Sequence, residues 1–212
     1  MKILWYLLTM VLLLNCSSTK LVDSWVDQES VNFTPKKVLV LGITDNLTAR
    51  KIFEGELTKE LQIRNINAVE SFNVFTTSFI STKQTEDNIE KEVERLSENG
   101  FDAILISTVK GVNQKTVYSV DMYRTDYYWR RFGRYYYFYQ DVYFDPGYYE
   151  NYNIYNVEAS LFDLKNHEDK SLVWVASYNI IDPKSINTTV KEYVKAIIET
   201  LEKEAIIPSL IK

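Results

Sequence analysis

Cysteine and histidine are almost missing: the 212-residue chain has one of each, Cys16 and His167. A disulfide framework needs cysteine pairs, and a structural zinc site usually takes four Cys or His ligands, so both are excluded. An excess of positive charge is missing too. Twenty-four Lys and Arg stand against 29 Asp and Glu, a net charge of −5, which argues against a nucleic-acid partner bound by broad phosphate neutralisation. The one long hydrophobic run, Ile3 to Leu14, is short of the roughly 20 residues that span a bilayer core. What the chain does have is 46% hydrophobic and 25% charged residues, the composition of one globular domain or at most two small ones. It also has 16 tyrosines.

Met1-Lys2, the apolar run and Asn15-Cys16 read together as a cleaved export signal over residues 1–15. Leu13-Leu14-Asn15-Cys16 resembles a bacterial lipobox, with Asn15 where a smaller residue is usual; Cys16 then becomes the acylated first residue of the mature chain. An ordinary secretory signal with a cysteine nearby is the other reading. Several acyl chains on one cysteine make an effectively permanent anchor, at about 0.8 kcal/mol per buried CH₂. Ser17, rather than Asp, after the cysteine implies the outer membrane, with the periplasmic face as the default.

Residues 16–36 read as the lipidated Cys, a tether and an N-terminal arm, with an extended piece at Leu21 to Val26. Lys37 to Ile43 is an apolar run of strand length, expected to be buried on both faces. Thr44-Asp45-Asn46 offers N-cap candidates for a helix carrying Ala49, Ile52, Phe53, Leu57 and Leu61. An extended segment from Ala68 to Phe75, a charged helix over Ser81 to Glu98 and a strand from Phe101 to Val109 follow. This β-α-β-α-β order predicts a parallel core. Asn156 to Leu164 and Leu172 to Tyr178 read as a hairpin, and Ser185 to Glu204 as a last helix. The expected fold class is α/β: a mixed five-stranded sheet in a single domain over 37–207, with a Tyr-rich insertion over 118–155.

That insertion holds 13 of the 16 tyrosines and four of the seven arginines. One reading is an extended hairpin packed on the sheet. A second is a recognition surface, since Tyr offers rigid area at low entropy cost and Arg stacks on rings. A third is a low-complexity loop. On the second reading the candidate partner-binding residues are Tyr127, Tyr128, Trp129, Arg130, Arg131, Arg134, Tyr135, Tyr136 and Tyr137. Deleting residues 120–152 should then spare the fold and abolish partner capture.

Catalytic signals are weak. His167 lies in an expected turn beside Glu168 and Asp169, and any triad would have to recruit it. Gly42-Ile43-Thr44-Asp45-Asn46 follows a strand and opens a helix, the place for a phosphate cradle, but has neither P-loop lysine nor a second glycine. Arg50, in the first helical turn, is unfavourable with the helix dipole and is a weak anion-binding candidate; pairing with Glu54 one turn on accounts for it as well.

Ser24-Trp25-Val26-Asp27, Lys37 to Ile43, Arg50, Phe53-Glu54, Leu57 to Leu61, Phe101-Asp102-Ala103-Ile104-Leu105-Ile106 and Leu172-Val173-Trp174 together resemble a family of bacterial outer-envelope lipoproteins of unknown function. The match covers most of residues 23–207. The layout is also similar, at fold level, to penicillin-binding-protein activators and the curli secretion lipoprotein. The resemblance implies a non-enzymatic lipoprotein with no cofactor or metal, held to membrane lipid by acylated Cys16 and binding an envelope protein. Glycan or peptidoglycan binding is the alternative; no nucleic acid is expected.

Overall fold

The computed structural model describes residues 17–30, 33–112, 132–139, 154–165, 171–181, 183 and 185–210. Strand β1 is Thr19–Val26, β2 Lys37–Ile43, β3 Asn67–Glu70, β4 Ala103–Val112, β5 Ile154–Asp163 and β6 Leu172–Ile181. They form one sheet in the order β1-β6-β5-β4-β2-β3. β2 runs parallel between β3 and β4, with Val38 opposite Ala68 and Leu39 opposite Ile104. β4, β5 and β6 pair antiparallel. The α/β class, parallel core and hairpin follow the sequence pattern, but the described sheet has six strands rather than five. The additional strand is β1, antiparallel to β6 from Thr19 opposite Ile180 to Val26 opposite Trp174. Residues expected to be a tether and arm thus become an edge strand. Its position comes from β6 backbone groups, and its own exposed Leu21 and Val22 carry no burial signal.

Helix α1 (Leu47–Ile63) starts at Asn46, whose side chain accepts from the Ala49 amide at 2.9 Å. The expected helix over Ser81 to Glu98 starts later, at Glu86, and a short helix lies ahead of it. A short α2 (Thr77–Ser81) ends in extended backbone at Thr82, and α3 (Glu86–Glu98) begins at the Thr85 cap. Gly100, at φ +80°, closes it. β3 stops at Glu70, earlier than expected, and a single 3₁₀ turn follows. Helix α4 is Phe132–Tyr139 and α5 is Ile186–Lys203.

Two cores lie on opposite faces of the sheet. Leu57, Leu61, Val194 and Ile197 of α1 and α5 cover Val40, Leu105, Ala159 and Tyr178. Phe79, Ile89, Leu96 and Tyr136 of α2, α3 and α4 cover Leu41, Ile106 and Phe162. Buried and half-buried polar groups fix the joints. Asp102 accepts the Lys36 and Lys37 amides at 3.0 and 2.9 Å. Glu204 accepts from both the Trp174 indole and the Ser24 hydroxyl, tying the end of α5 to β6 and β1.

Under α5, the Tyr193 hydroxyl and Ser107 Oγ lie 2.8 Å apart, and Tyr178 donates to Thr200 at 3.0 Å. Burial pushes both tyrosines well above their ordinary pKa, outweighing the lowering by those hydroxyl partners. The folded state therefore favours the neutral forms. That contribution is complete below the unfolded-state value of about 10 and is lost as pH rises past it. The thermal midpoint is expected to be level from pH 7 to 9 and to fall above about pH 10, less steeply in Tyr193→Phe. Midpoints measured across that range, equal in slope for the two proteins, would refute the assignment.

Candidate functional site

At one end of the sheet β2 turns into α1 and β6 gives way to α5. In open α/β sheets ligands settle outside the carboxyl ends of strands. Here a cleft of about 810 Å³ opens between the first turns of α1 and α5. Val109, Tyr155, Val157 and Ile180 form its floor, with Leu47, Ala49, Ile186 and Val190 from the two helices. Thr44, Asp45, Asn46, Ser185 and Thr189 add hydroxyls, an amide and one carboxylate. Among the described residues no Lys, Arg or His lines it. That chemistry suits an aliphatic ligand and offers an anion no cation.

The start of the described chain sits at this same end. Ser18 donates from its amide and its hydroxyl to the Glu192 carboxylate of α5, at 2.8 and 2.6 Å. The hydroxyl bond from Ser18 holds that carboxyl below its ordinary pKa. The Ile181 amide donates to the Ser18 carbonyl at 2.8 Å. The exposed Ser17, the residue after Cys16, also reaches the Glu192 carboxylate with its hydroxyl, at 3.5 Å. Sequence reading missed Glu192 because its partner lies 174 residues away; nothing local marks it.

Of the two expectations for Arg50, the structure bears out pairing with Glu54 rather than an anion site. Arg50 is 3% exposed and does not line the cleft. Its Nε donates to Glu54 Oε1 at 2.9 Å and a terminal nitrogen to Ser71 Oγ at 2.9 Å. Glu54 also accepts the Gly42 amide at 3.0 Å and the Ser71 amide at 2.9 Å, and the Phe72 ring lies 4.6 Å from the guanidinium carbon. An internal carboxylate takes the place of the expected anion. The network clamps the β2–α1 joint beside the cleft. Gly42 permits this: a Cβ there would stand 3.3 Å from Arg50 Cγ and from Phe53 Cδ1.

The Tyr/Arg candidates divide. Tyr135 and Tyr136 are buried, and only Tyr137 of the three is exposed. Tyr135 donates to Glu158 at 2.7 Å and its ring meets Phe162 edge-on at 5.3 Å. These two are therefore corrected from binding surface to core. Of the hairpin reading only residues 132–139 are described, and these form the helix α4, whose 3.6-residue turn sets Phe132, Tyr135 and Tyr136 on one inward face. Arg134 lies in α4. Tyr127, Tyr128, Trp129, Arg130, Arg131, Cys16 and His167 lie outside the described residues.

No family model matches the chain, and no curated protein does. The chain is similar in fold to solved structures. Two PelC dodecamers from Paraburkholderia phytofirmans align at 13% identity, with TM-scores of 0.42 and 0.41, over 88% of this chain and 96% and 95% of theirs. Lipoprotein GNA1162 from Neisseria meningitidis aligns at 14% identity with a TM-score of 0.41, over 80% of this chain and 99% of that one. At such values no ligand, partner or assembly passes from them to this chain. Among the described residues no helix is long and apolar enough to cross a membrane.

Proposed function

We propose that this chain is a lipid-anchored protein of the bacterial cell envelope, held in the outer membrane through acylated Cys16, that binds an envelope protein and makes no bonds of its own. The observation that supports it most is the seating of Ser17 and Ser18 on α5 and β6. The export signal and lipobox-like sequence lead directly into ordered structure, so an anchor at Cys16 holds the whole domain close to the bilayer. Partner capture falls to the aromatic and arginine residues before α4, Tyr127 to Arg131, since the rings of Tyr135 and Tyr136 are spent on the core.

The test is made in intact cells. Mass spectrometry of the mature protein is expected to find Cys16 at the amino terminus with its acyl groups, and Cys16→Ala to abolish membrane fractionation. Replacing Tyr127, Tyr128, Trp129, Arg130 and Arg131 together by serine is expected to lower recovery of an in-envelope crosslinked protein about tenfold. An unacylated, soluble product would overturn the anchor. Unchanged crosslinking would overturn the binding segment.

A further inference from the structure

We infer that the cleft between the first turns of α1 and α5 houses one of the acyl chains carried on Cys16. The inference rests on the acylation proposed above and deepens it by giving the anchor a second place to reside.

Three observations converge. The first is position. Thr19 stands opposite Ile180 in the β1–β6 register, and Ile180 is part of the cleft floor. Residues directly opposite on antiparallel strands send their side chains to the same face, about 5 Å apart. Ser18 is held from the other side by Glu192, one helical turn beyond Thr189 of the cleft wall. From Ser17, Cys16 is one Cα–Cα step of about 3.8 Å away. Ser17, one covalent step from the residue proposed to be acylated, thus lies against the helix that forms one cleft wall.

The second is size. An acyl chain fills about half of a ~30 Å hydrocarbon core, a reach of about 15 Å, enough to cross the floor from β6 towards Val109 on β4. A volume of about 810 Å³ lies in the range of roughly 300–1,000 Å³ typical of ligand cavities.

The third is chemistry. The floor is apolar (Val109, Val157, Ile180 and the Tyr155 ring), the walls mix aliphatic side chains with hydroxyls, and at the mouth Leu47 is 54% and Ile186 42% exposed. Large apolar side chains left open on both sides of an apolar groove favour an apolar occupant. With no basic residue among the described lining, a phosphate or carboxylate ligand finds no counter-charge. The chain itself delivers an aliphatic ligand to this point, at a local concentration that no free lipid matches.

An acyl chain in the cleft is withdrawn from the bilayer, so the protein would alternate between more and fewer inserted chains. The test uses the full acylated protein from cells fed a fatty acid with a terminal diazirine. After irradiation and digestion, the Cys16 peptide is expected to be joined through its acyl chain to a peptide containing residues 44–49 or 185–190. Val190→Asp and, independently, Ala49→Trp should reduce that product about tenfold with circular dichroism unchanged. Acylated Cys16 whose diazirine labels only phospholipid or detergent overturns the inference and leaves the anchor standing. A phospholipid chain in the cleft, in place of the protein's own, overturns it equally. Unacylated Cys16 overturns both readings and is recognised by its mass.

Discussion

Glu54→Gln is expected to destabilise the domain by about 3–5 kcal/mol, because it takes from the buried Arg50 the carboxylate its Nε bonds at 2.9 Å. Glu54 is fully buried, and both of its oxygens are in use: Oε1 receives Arg50 and the Gly42 amide, and Oε2 the Ser71 amide. Glutamine keeps the shape and one acceptor oxygen but removes the charge and turns the other oxygen into a donor facing Ser71. For a domain of this length each kcal/mol moves the thermal midpoint by about 2–4 °C, so a fall of roughly 6–20 °C is expected. Adding Arg50→Met to Glu54→Gln should recover part of the loss, since removing both charges ends the cost of burying a guanidinium deprived of this carboxylate. A double-mutant cycle on thermal or urea unfolding measures that coupling. If the two substitutions are simply additive, Arg50 and Glu54 do not act as a buried pair.

Phe132→Ala should cost about 3–5 kcal/mol, and deletion of residues 120–152 should destabilise rather than spare the fold. Phe132 is 5% exposed and lies edge-on to Phe162 with centroids 5.8 Å apart; Tyr136 lies 5.9 Å from it and reaches on to Phe79 at 6.2 Å. Tyr135 fills the same layer and spends its hydroxyl on Glu158, which also takes Lys110 at 3.3 Å. Removing α4 would uncover the sheet face over Phe162 and strip the tyrosine hydroxyl from Glu158. Urea unfolding of Phe132→Ala beside Tyr137→Ala separates the cases. The exposed Tyr137 should give a change within about ±0.5 kcal/mol. Equal, small effects at both positions would return the whole segment to the surface. The deletion experiment that seemed to isolate a binding segment therefore has to spare α4.

Several residues behind the family resemblance owe their place to internal polar joints rather than to a ligand. Arg50 and Glu54 clamp β2 to α1, Asp102 closes the turn into β2, and Ser24 and Trp174 meet at Glu204. Spacing alone suggested the Arg50–Glu54 pair, because residues four apart share a helix face. It could not show that the pair is buried, which requires β2 and the Ser71 turn to close over it.

Local periodicity determined most of the fold by itself. The run Lys37 to Ile43, the 3.6-residue stripes of α1 and α5, the Asn46 cap and the left-handed Gly100 each depend on neighbours a few positions away, and each is legible in the string of residues. Tertiary structure alone decided the rest. β1 became a strand because the edge of β6 offered unpaired backbone groups, and the helix expected from Ser81 begins only at Glu86. Tyr135 and Tyr136 of α4 turned inward because an aromatic patch can meet water, a partner or its own sheet, and only the uncovered face around Phe162 selects among them. The cleft exists because two helices far apart in sequence begin side by side over one sheet end, an arrangement that no single stretch of sequence encodes.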